Sequence, residues 1–212
     1  MSVTLGTYAL ITIDEARSFL LEDDTADIGT KLDLIKRLIN GISVAAETYC
    51  ARKILARDFA NEDYDGNGSD TLQLKNYPIN SIDSIYLDTD RNFGATTLIA
   101  STDLIIYAEE GKVRRKGITI MIDEETGKII RTSCFSAGRK NVRVNYNAGY
   151  VTVPEDIKFA VLEEIVWHYD LLVKKKLGVT GVSAMGENTS VFVGDLLPTT
   201  KMILSSYRRA LI

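Results

Sequence analysis

Asn141-Val142-Arg143-Val144-Asn145-Tyr146-Asn147-Ala148-Gly149-Tyr150-Val151-Thr152-Val153-Pro154-Glu155 is the stretch where two periodicities meet. Val142, Val144 and Tyr146 alternate with Arg143 and Asn145, the period of two expected of a strand with one buried face. A few residues later Thr152-Val153-Pro154-Glu155 predicts a helix start, with a capping box and a proline tolerated in the first turn. That helix is expected to run to about Lys176. Its centre, Ile165-Val166-Trp167-His168-Tyr169, is apolar or aromatic around most of its circumference, as in a helix enclosed on more than one side by its own fold or by a neighbouring subunit.

Upstream, the period of two extends back to about Lys53. Leu72 and Leu74 alternate with polar neighbours, as do Ile118, Ile120 and Ile122. Asp65-Gly66-Asn67-Gly68, Asn92-Phe93-Gly94, Glu110-Gly111 and Glu125-Thr126-Gly127 punctuate these runs as turns. Short strands spaced in this way predict an antiparallel sheet, as a small sandwich or barrel.

Before Lys53 the period is helical. Thr12-Ile13-Asp14-Glu15 fits a capping box, so a first helix starts there, and Glu22, Asp23 and Asp24 form a solvated turn after it. Ile28, Leu32, Ile35, Ile39, Ile42, Ala46 and Tyr49 recur at alternating steps of four and three along one stripe of a long second helix. Leu34, Leu38 and Ala45 form a flanking stripe, which predicts a helix packed between two neighbours. Gly41 in its middle costs about 1 kcal/mol against alanine, so a close helix crossing is expected there. After the third helix, Val179 to Ser190 is low in hydrophobicity and reads as a mobile loop. A last helix begins near Leu197-Pro198.

The expected class is therefore α+β: a helical bundle interrupted by an antiparallel β-module. The bundle has two N-terminal helices, one long helix after the sheet and a C-terminal helix. The divisions are 1–52 and 151–178 for the helical part, 53–150 for the module, 179–196 for a flexible loop and 197–212 for the C-terminal helix.

Composition narrows the function. The 212 residues are 45% hydrophobic and 25% charged with three prolines, a globular rather than a disordered balance. No apolar run approaches the ~20 residues of a membrane span, and the N-terminus lacks a signal-peptide pattern, which predicts a soluble intracellular protein. Cys50 and Cys134, far apart in such a chain, are expected as buried thiols rather than a disulfide. The net charge of -4 argues against a protein that grips nucleic acid by neutralising phosphates. Lysines and arginines are interleaved with acids except at Lys112, Arg114, Arg115 and Lys116, and at Lys174 to Lys176.

Reactive constellations are weak. Asp63-Tyr64-Asp65-Gly66-Asn67-Gly68-Ser69 mimics the first half of a calcium loop. Asp70 and Leu74 then stand where an aliphatic residue and a bidentate glutamate are needed, so it reads as a solvated hairpin turn. His168 is the only histidine, which leaves no partner for the usual metal or nucleophile chemistry, and its Trp167 and Tyr169 neighbours favour packing. There is no phosphate loop, nucleophile elbow or paired-cysteine motif. Adjacent carboxylates such as Glu163-Glu164 and Asp123-Glu124-Glu125 read as solvated surface. The Lys112 to Lys116 cluster reads as a hairpin end, with contact to DNA or an acidic partner as its functional alternative. No cofactor or metal is expected, and no enzyme.

The order of these features resembles the head-tail connector (head-completion adaptor) proteins of tailed double-stranded DNA bacteriophages and prophages. Leu10 to Ala16 resembles their helix start. Ala46-Glu47-Thr48-Tyr49-Cys50-Ala51-Arg52 is similar to the close of their second helix, a tyrosine-cysteine-x-arginine-like run. The Asp65-Gly66 segment, Leu72-x-Leu74-x-x-Tyr77-Pro78, Ser81-Ile82-x-Ser84-Ile85 and Asp90-Arg91-x-Phe93-Gly94 look like their β-segment. Asn141 to Tyr150 followed by Val153-Pro154-Glu155-Asp156-Ile157-Lys158 resembles their strand, Gly-Tyr turn and proline-led helix. Leu204-Ser205-Ser206-Tyr207-Arg208-Arg209 is similar to their ending. Compact members are almost entirely helical, so the β-module points to a longer subgroup.

The resemblance implies a structural adaptor of the virion neck, made in the host cytoplasm during assembly. Copies would form a ring, commonly of twelve, under the portal, though an isolated adaptor is often a monomer. The ring would extend the DNA channel and dock a stopper or tail-completion protein. DNA would pass without sequence-specific binding, and no membrane is involved. A slightly acidic conduit suits sliding phosphates. The expected portal contact is the C-terminal helix, through Leu197, Met202, Ile203, Leu204, Tyr207 and Arg208, acting as a short plug separable from the rest of the fold. A nucleic-acid-binding or accessory packaging factor working through Lys112, Arg114, Arg115 and Lys116 is the alternative reading. A hydrolase using scattered carboxylates is a third.

Overall fold

Thr12 caps the first helix, α1 (Ile13–Phe19), by the reciprocal arrangement its sequence predicts: its hydroxyl accepts the Glu15 N–H, and the Glu15 carboxylate accepts the Thr12 N–H at 2.7 Å. This computed structural model describes residues 2–20, 30–117, 120–122, 129–131, 134–173, 181–184, 187–190 and 196–209. The turn expected at Glu22 to Asp24, Ile28, Ile118, Glu125 to Gly127 and Lys174 to Lys176 lie outside them. The protein is α+β with antiparallel sheets. It divides into two units, Met1–Leu55 with Thr152–Ile212, and Ala56–Val151.

In the first unit, α2 (Thr30–Cys50) buries Ile35, Ile39, Ile42 and Ala46 of the stripe its sequence predicts, with Cys50 beyond them, while Leu32 and Tyr49 of that stripe are half-buried. It lies against α3 (Glu155–Val173), which buries Ile157, Ala160, Val161, Glu164, Ile165 and Tyr169. Both helices also touch α1 and α4 (Pro198–Ser205). Three expectations are corrected here. Gly41 is exposed, and nothing lies within 4 Å of where its Cβ would sit, so no helix crosses closely there. The flanking stripe of Leu34, Leu38 and Ala45 is only half-buried. The third helix begins at Glu155, with the Pro154 carbonyl accepting its first bond from the Lys158 N–H at 3.0 Å. A Thr152–Glu155 box would require the helix to start two residues earlier.

An N-terminal arm runs along one flank of α2. Asp33 accepts the Val3 N–H, Asn40 exchanges bonds with Gly6 and Thr4, and Ser43 accepts the Leu10 N–H at 3.1 Å. Within 179–190, expected as a loop, β9 (Gly181–Ala184) and β10 (Glu187–Ser190) pair as an antiparallel hairpin.

The second unit holds two three-stranded sheets. In one, β8 (Gly138–Ala148) lies between β1 (Arg57–Gly66) and β3 (Ile79–Leu87). In the other, β5 (Lys112–Arg115) lies between β2 (Thr71–Gln73) and β4 (Leu104–Tyr107). β6 (Ile120–Ile122) and β7 (Ile129–Arg131) form a further hairpin. Along β8, Val142, Val144, Tyr146 and Ala148 are buried and alternate with half-exposed Arg143, Asn145 and Asn147, as the period of two requires. They join Leu72 and Val113 of the other sheet in one hydrophobic core, so both sheets share it.

Asp65-Gly66 is not a hairpin turn. β1 pairs with β8 and β2 with β5, so the segment carries the chain from one sheet to the other. Glycine is needed at 66 because a Cβ would stand 2.0 Å from the Ser136 carbonyl oxygen. Asn141, buried beside it, accepts the Gly66 N–H at 2.8 Å and donates to that same carbonyl at 2.8 Å.

Candidate functional site

The two ends of the helical unit meet. The run Tyr49-Cys50-Ala51-Arg52 closes α2 and turns through Ala51, which takes a left-handed φ of 53°. The residues after α4 hook onto this turn. The Arg209 N–H donates to the Cys50 carbonyl at 2.8 Å, Arg52 Nε donates to the Tyr207 carbonyl at 2.7 Å, and Arg208 lies over the Tyr49 ring. Two motifs about 150 residues apart in sequence thus form one structure. Cys50 is fully buried, and desolvation, partly opposed by Arg52, pushes its thiol up to about 11. Cys50 and Cys134 are both free thiols, and Cys134 is half-buried rather than buried.

α4 is seated on a buried carboxylate. Glu164 is 0% exposed, and its Oε2 accepts the Leu197 N–H at 3.0 Å and the Thr200 hydroxyl at 2.9 Å. The acceptor stands where the first turn of α4 leaves its amides without helical partners. His168 Nε2 lies 3.3 Å from Glu164 Oε1, one helical turn along α3, with Trp167 edge-on to the imidazole. The sequence placed Glu164 with Glu163 on a solvated surface. Only Glu163 is there, accepting the exposed Thr199 hydroxyl. Glu164 falls on the inner side of α3, in register with Val161 and Ile157, and that spacing was the signal available.

The predicted portal residues divide accordingly. Leu204 is fully buried, and Leu197, Ile203 and Tyr207 are half-buried. The Tyr207 hydroxyl donates to Asp156 at 2.7 Å. Met202, 70% exposed, and Arg208 face outward. The C-terminal helix is part of the helical core, so the expectation of a plug separable from the fold is corrected.

The basic cluster lies along β5 rather than at a hairpin tip, and its side chains alternate between two faces. Lys112 and Arg114 share one face, where they pair with Glu110 at 2.6 Å and Asp70 at 2.7 Å. Arg115, on the other face, donates to the Cys134 carbonyl, and Lys116 donates to the Thr102 carbonyl at 2.8 Å. Each cation is engaged within the unit, and the four do not converge. The calcium-like loop is equally committed. Asp63 takes a two-pronged bond from Arg143, which holds its carboxyl below the usual range, and Asp65 accepts the Lys140 N–H.

The densest polar cluster went unread in the sequence. Glu62 Oε2 accepts the hydroxyls of Tyr64 and Tyr146, each at 2.6 Å, while Lys75 reaches Oε1 at 3.0 Å. The Tyr146 hydroxyl also accepts from buried Asn76, and Phe59 stacks on its ring. Burial pulls the Glu62 pKa up, and the hydrogen bonds from Tyr146, Tyr64 and Lys75 together outweigh it, leaving the carboxyl below its ordinary value. Burial, aided by the Glu62 carboxylate, pushes both phenols up. Every member is satisfied by another, so the cluster clamps β1, β8 and the chain after β2 together. Among the described residues no group of acids, cysteines and histidine is arranged to hold a metal ion.

No curated protein matches the chain. Solved structures share its fold, three of them from gene transfer agent particles. A chain from the neck of an empty gene transfer agent (GTA) particle, computed with C6 symmetry, superposes with a TM-score of 0.60 at 17% identity, covering 100% of this chain and 96% of that one. A chain of the virion of the native particle gives 0.55 at 17% identity, and one of the native neck computed with C12 symmetry gives 0.53 at 16%, with the same coverage. A sequence model of the head completion protein family matches residues 9–210. That span takes in α1 through α4, the inserted strands and the joined ends of the helical unit, and by it the chain belongs to the head completion protein family.

Proposed function

We propose that this protein is a structural adaptor of a phage-type neck. Copies form a ring of about twelve beneath the portal, extend the DNA exit channel, and present the surface on which a stopper or tail-completion protein docks; a closed ring needs two different complementary faces on each copy. The observation that carries this reading is family membership over residues 9–210, joined to a fold shared along its whole length with chains of GTA necks. On this reading α1 to α4 are the bundle that builds the ring. The portal contact uses the outward side of α4, through Met202 with the edge of Ile203, and Arg208 beyond its end. The work is mechanical, with no reaction to catalyse, and it takes place in the virion neck after assembly in the host cytoplasm.

A conduit must let DNA slide. The engagement of Lys112, Arg114, Arg115 and Lys116 with internal acceptors supports passage over grip, as does the net charge of -4. Negative-stain imaging of the protein mixed with its cognate portal tests the proposal: rings capping the portal are expected, and portals left bare at saturating protein would refute it. In a gel-shift assay at low salt, duplex DNA is expected to run free. A salt-sensitive shift abolished by Arg114→Ala with Arg115→Ala would favour the nucleic-acid-binding reading instead.

A further inference from the structure

We infer that the outer faces of α2 and α3 are the two halves of a head-to-tail contact between copies of this chain. The inference rests on the ring reading above and names the surfaces that close it. α2 and α3 bury their inner faces in the same unit and touch one another. The sides left over therefore point away from each other, as a heterologous contact requires.

Neither outer face has the composition of an ordinary solvated helix. On α3, Phe159, Leu162, Val166 and Val173 follow one another at helical spacing, with Phe159 50% and Val173 56% exposed. Phe19 of α1, itself 41% exposed, packs edge-on against Phe159 and widens the strip. Among the described residues the charges along the strip are Glu155, Glu163 and Asp170, all acidic, and Lys158 is turned aside to Glu15 and Glu155. On α2, Leu34, Leu38, Val44 and Ala45 line the outer side, with Val44 63% exposed. Its exposed charge is Arg37, which forms no ion pair with any described residue.

Shape and charge select the pairing. Gly41 interrupts the α2 strip with a recess, since nothing lies within 4 Å of its missing Cβ. The bulky side chains are on α3, so the protruding strip of one copy fits the recessed strip of the next. Joining α3 to α3 would set acids against acids, and joining α2 to α2 would oppose two Arg37 side chains. Only α2 against α3 places the arginine among carboxylates, and like-charge juxtaposition disfavours the other two pairings. A contact of this kind leaves one free face at each end and propagates until it closes.

Paired cysteines test it. The double variant Val44→Cys with Val166→Cys, oxidised in the presence of the portal, is expected to give a ladder of trimers and larger species. Each single variant should match the wild-type pattern, and a mixture of the two singles should give a dimer. Arg37→Glu is expected to weaken ring formation by roughly tenfold or more, and Asp170→Arg on the same chain to restore it. Both changes are on exposed or half-exposed helix positions, so unchanged circular dichroism will establish that the fold is intact. A double variant without a ladder, or Arg37→Glu rings forming as readily as wild type, overturns the assignment of faces while wild-type rings leave the neck reading standing. Absence of rings from the wild-type protein with its portal overturns both.

Discussion

Glu164 carries a charge-bearing group into the core of the helical unit and uses it to hold the start of α4. Removing it strands the part-buried Leu197 N–H and leaves the buried Thr200 hydroxyl only the longer bond to the Ala160 carbonyl at 3.3 Å, and a buried donor without an acceptor costs about 1 to 3 kcal/mol. Glu164→Ala is accordingly expected to lower unfolding stability by about 2 to 4 kcal/mol in a urea titration, with Glu164→Gln retaining a good part of it. Glu62 acts similarly in the β-unit, with a consequence for pH. Its folded pKa lies below the ordinary 4.5, so its contribution is fully present above that value and is lost as the pH falls through the folded one. At pH 7 Glu62→Gln should cost about 1 to 3 kcal/mol, the scale of hydrogen bonds to a charged group. The gap between variant and wild type should close as the pH falls, which denaturant midpoints from pH 7 down to pH 3 will measure. Neither carboxylate announced itself in the sequence. Each has polar or acidic neighbours, and what distinguishes it is the company it meets after folding.

At the scale of elements, α2 shows how far periodicity reaches. Ile35, Ile39, Ile42 and Ala46 are buried as their spacing predicts, because a helix repeats every 3.6 residues whatever surrounds it. The flanking stripe of Leu34, Leu38 and Ala45 is apolar as well, yet it is only half-buried. Gly41, next to it, is exposed with open space around its Cβ position, so Gly41→Ala should add about 0.5 to 1 kcal/mol to the stability of the isolated chain. Thermal unfolding of the monomer checks this. α4 was misread in the opposite sense. Its apolar side chains suggested a detachable plug, whereas Leu204 is buried and the residues beyond it bond to the end of α2. Truncation after Ser190 should therefore depress the melting temperature of the whole protein rather than leave it unchanged, as circular dichroism of the shortened chain will reveal. The β-strands follow the same pattern. The alternation along β8 predicted its buried face, while the partners of β1 and β2 could not be read because Asp65-Gly66 has the composition of a hairpin turn.

Over the whole molecule, the sequence by itself determined the class: helices, then antiparallel strands, then helices. It also determined the Thr12 capping box, the inward faces of α2 and β8, and the family, because each depends on local spacing or on the collinear order of motifs. The tertiary structure decided what covers each face and which distant residues meet. Arg143 finds Asp63 across 80 residues, Arg52 finds the Tyr207 carbonyl across 155, and the four cations between Lys112 and Lys116 disperse onto separate acceptors. The physical reason is that backbone geometry makes apolar periodicity a local property, readable in a short window. Burial, ion pairing and strand register, by contrast, are set by free energies of contact between segments whose approach no window contains.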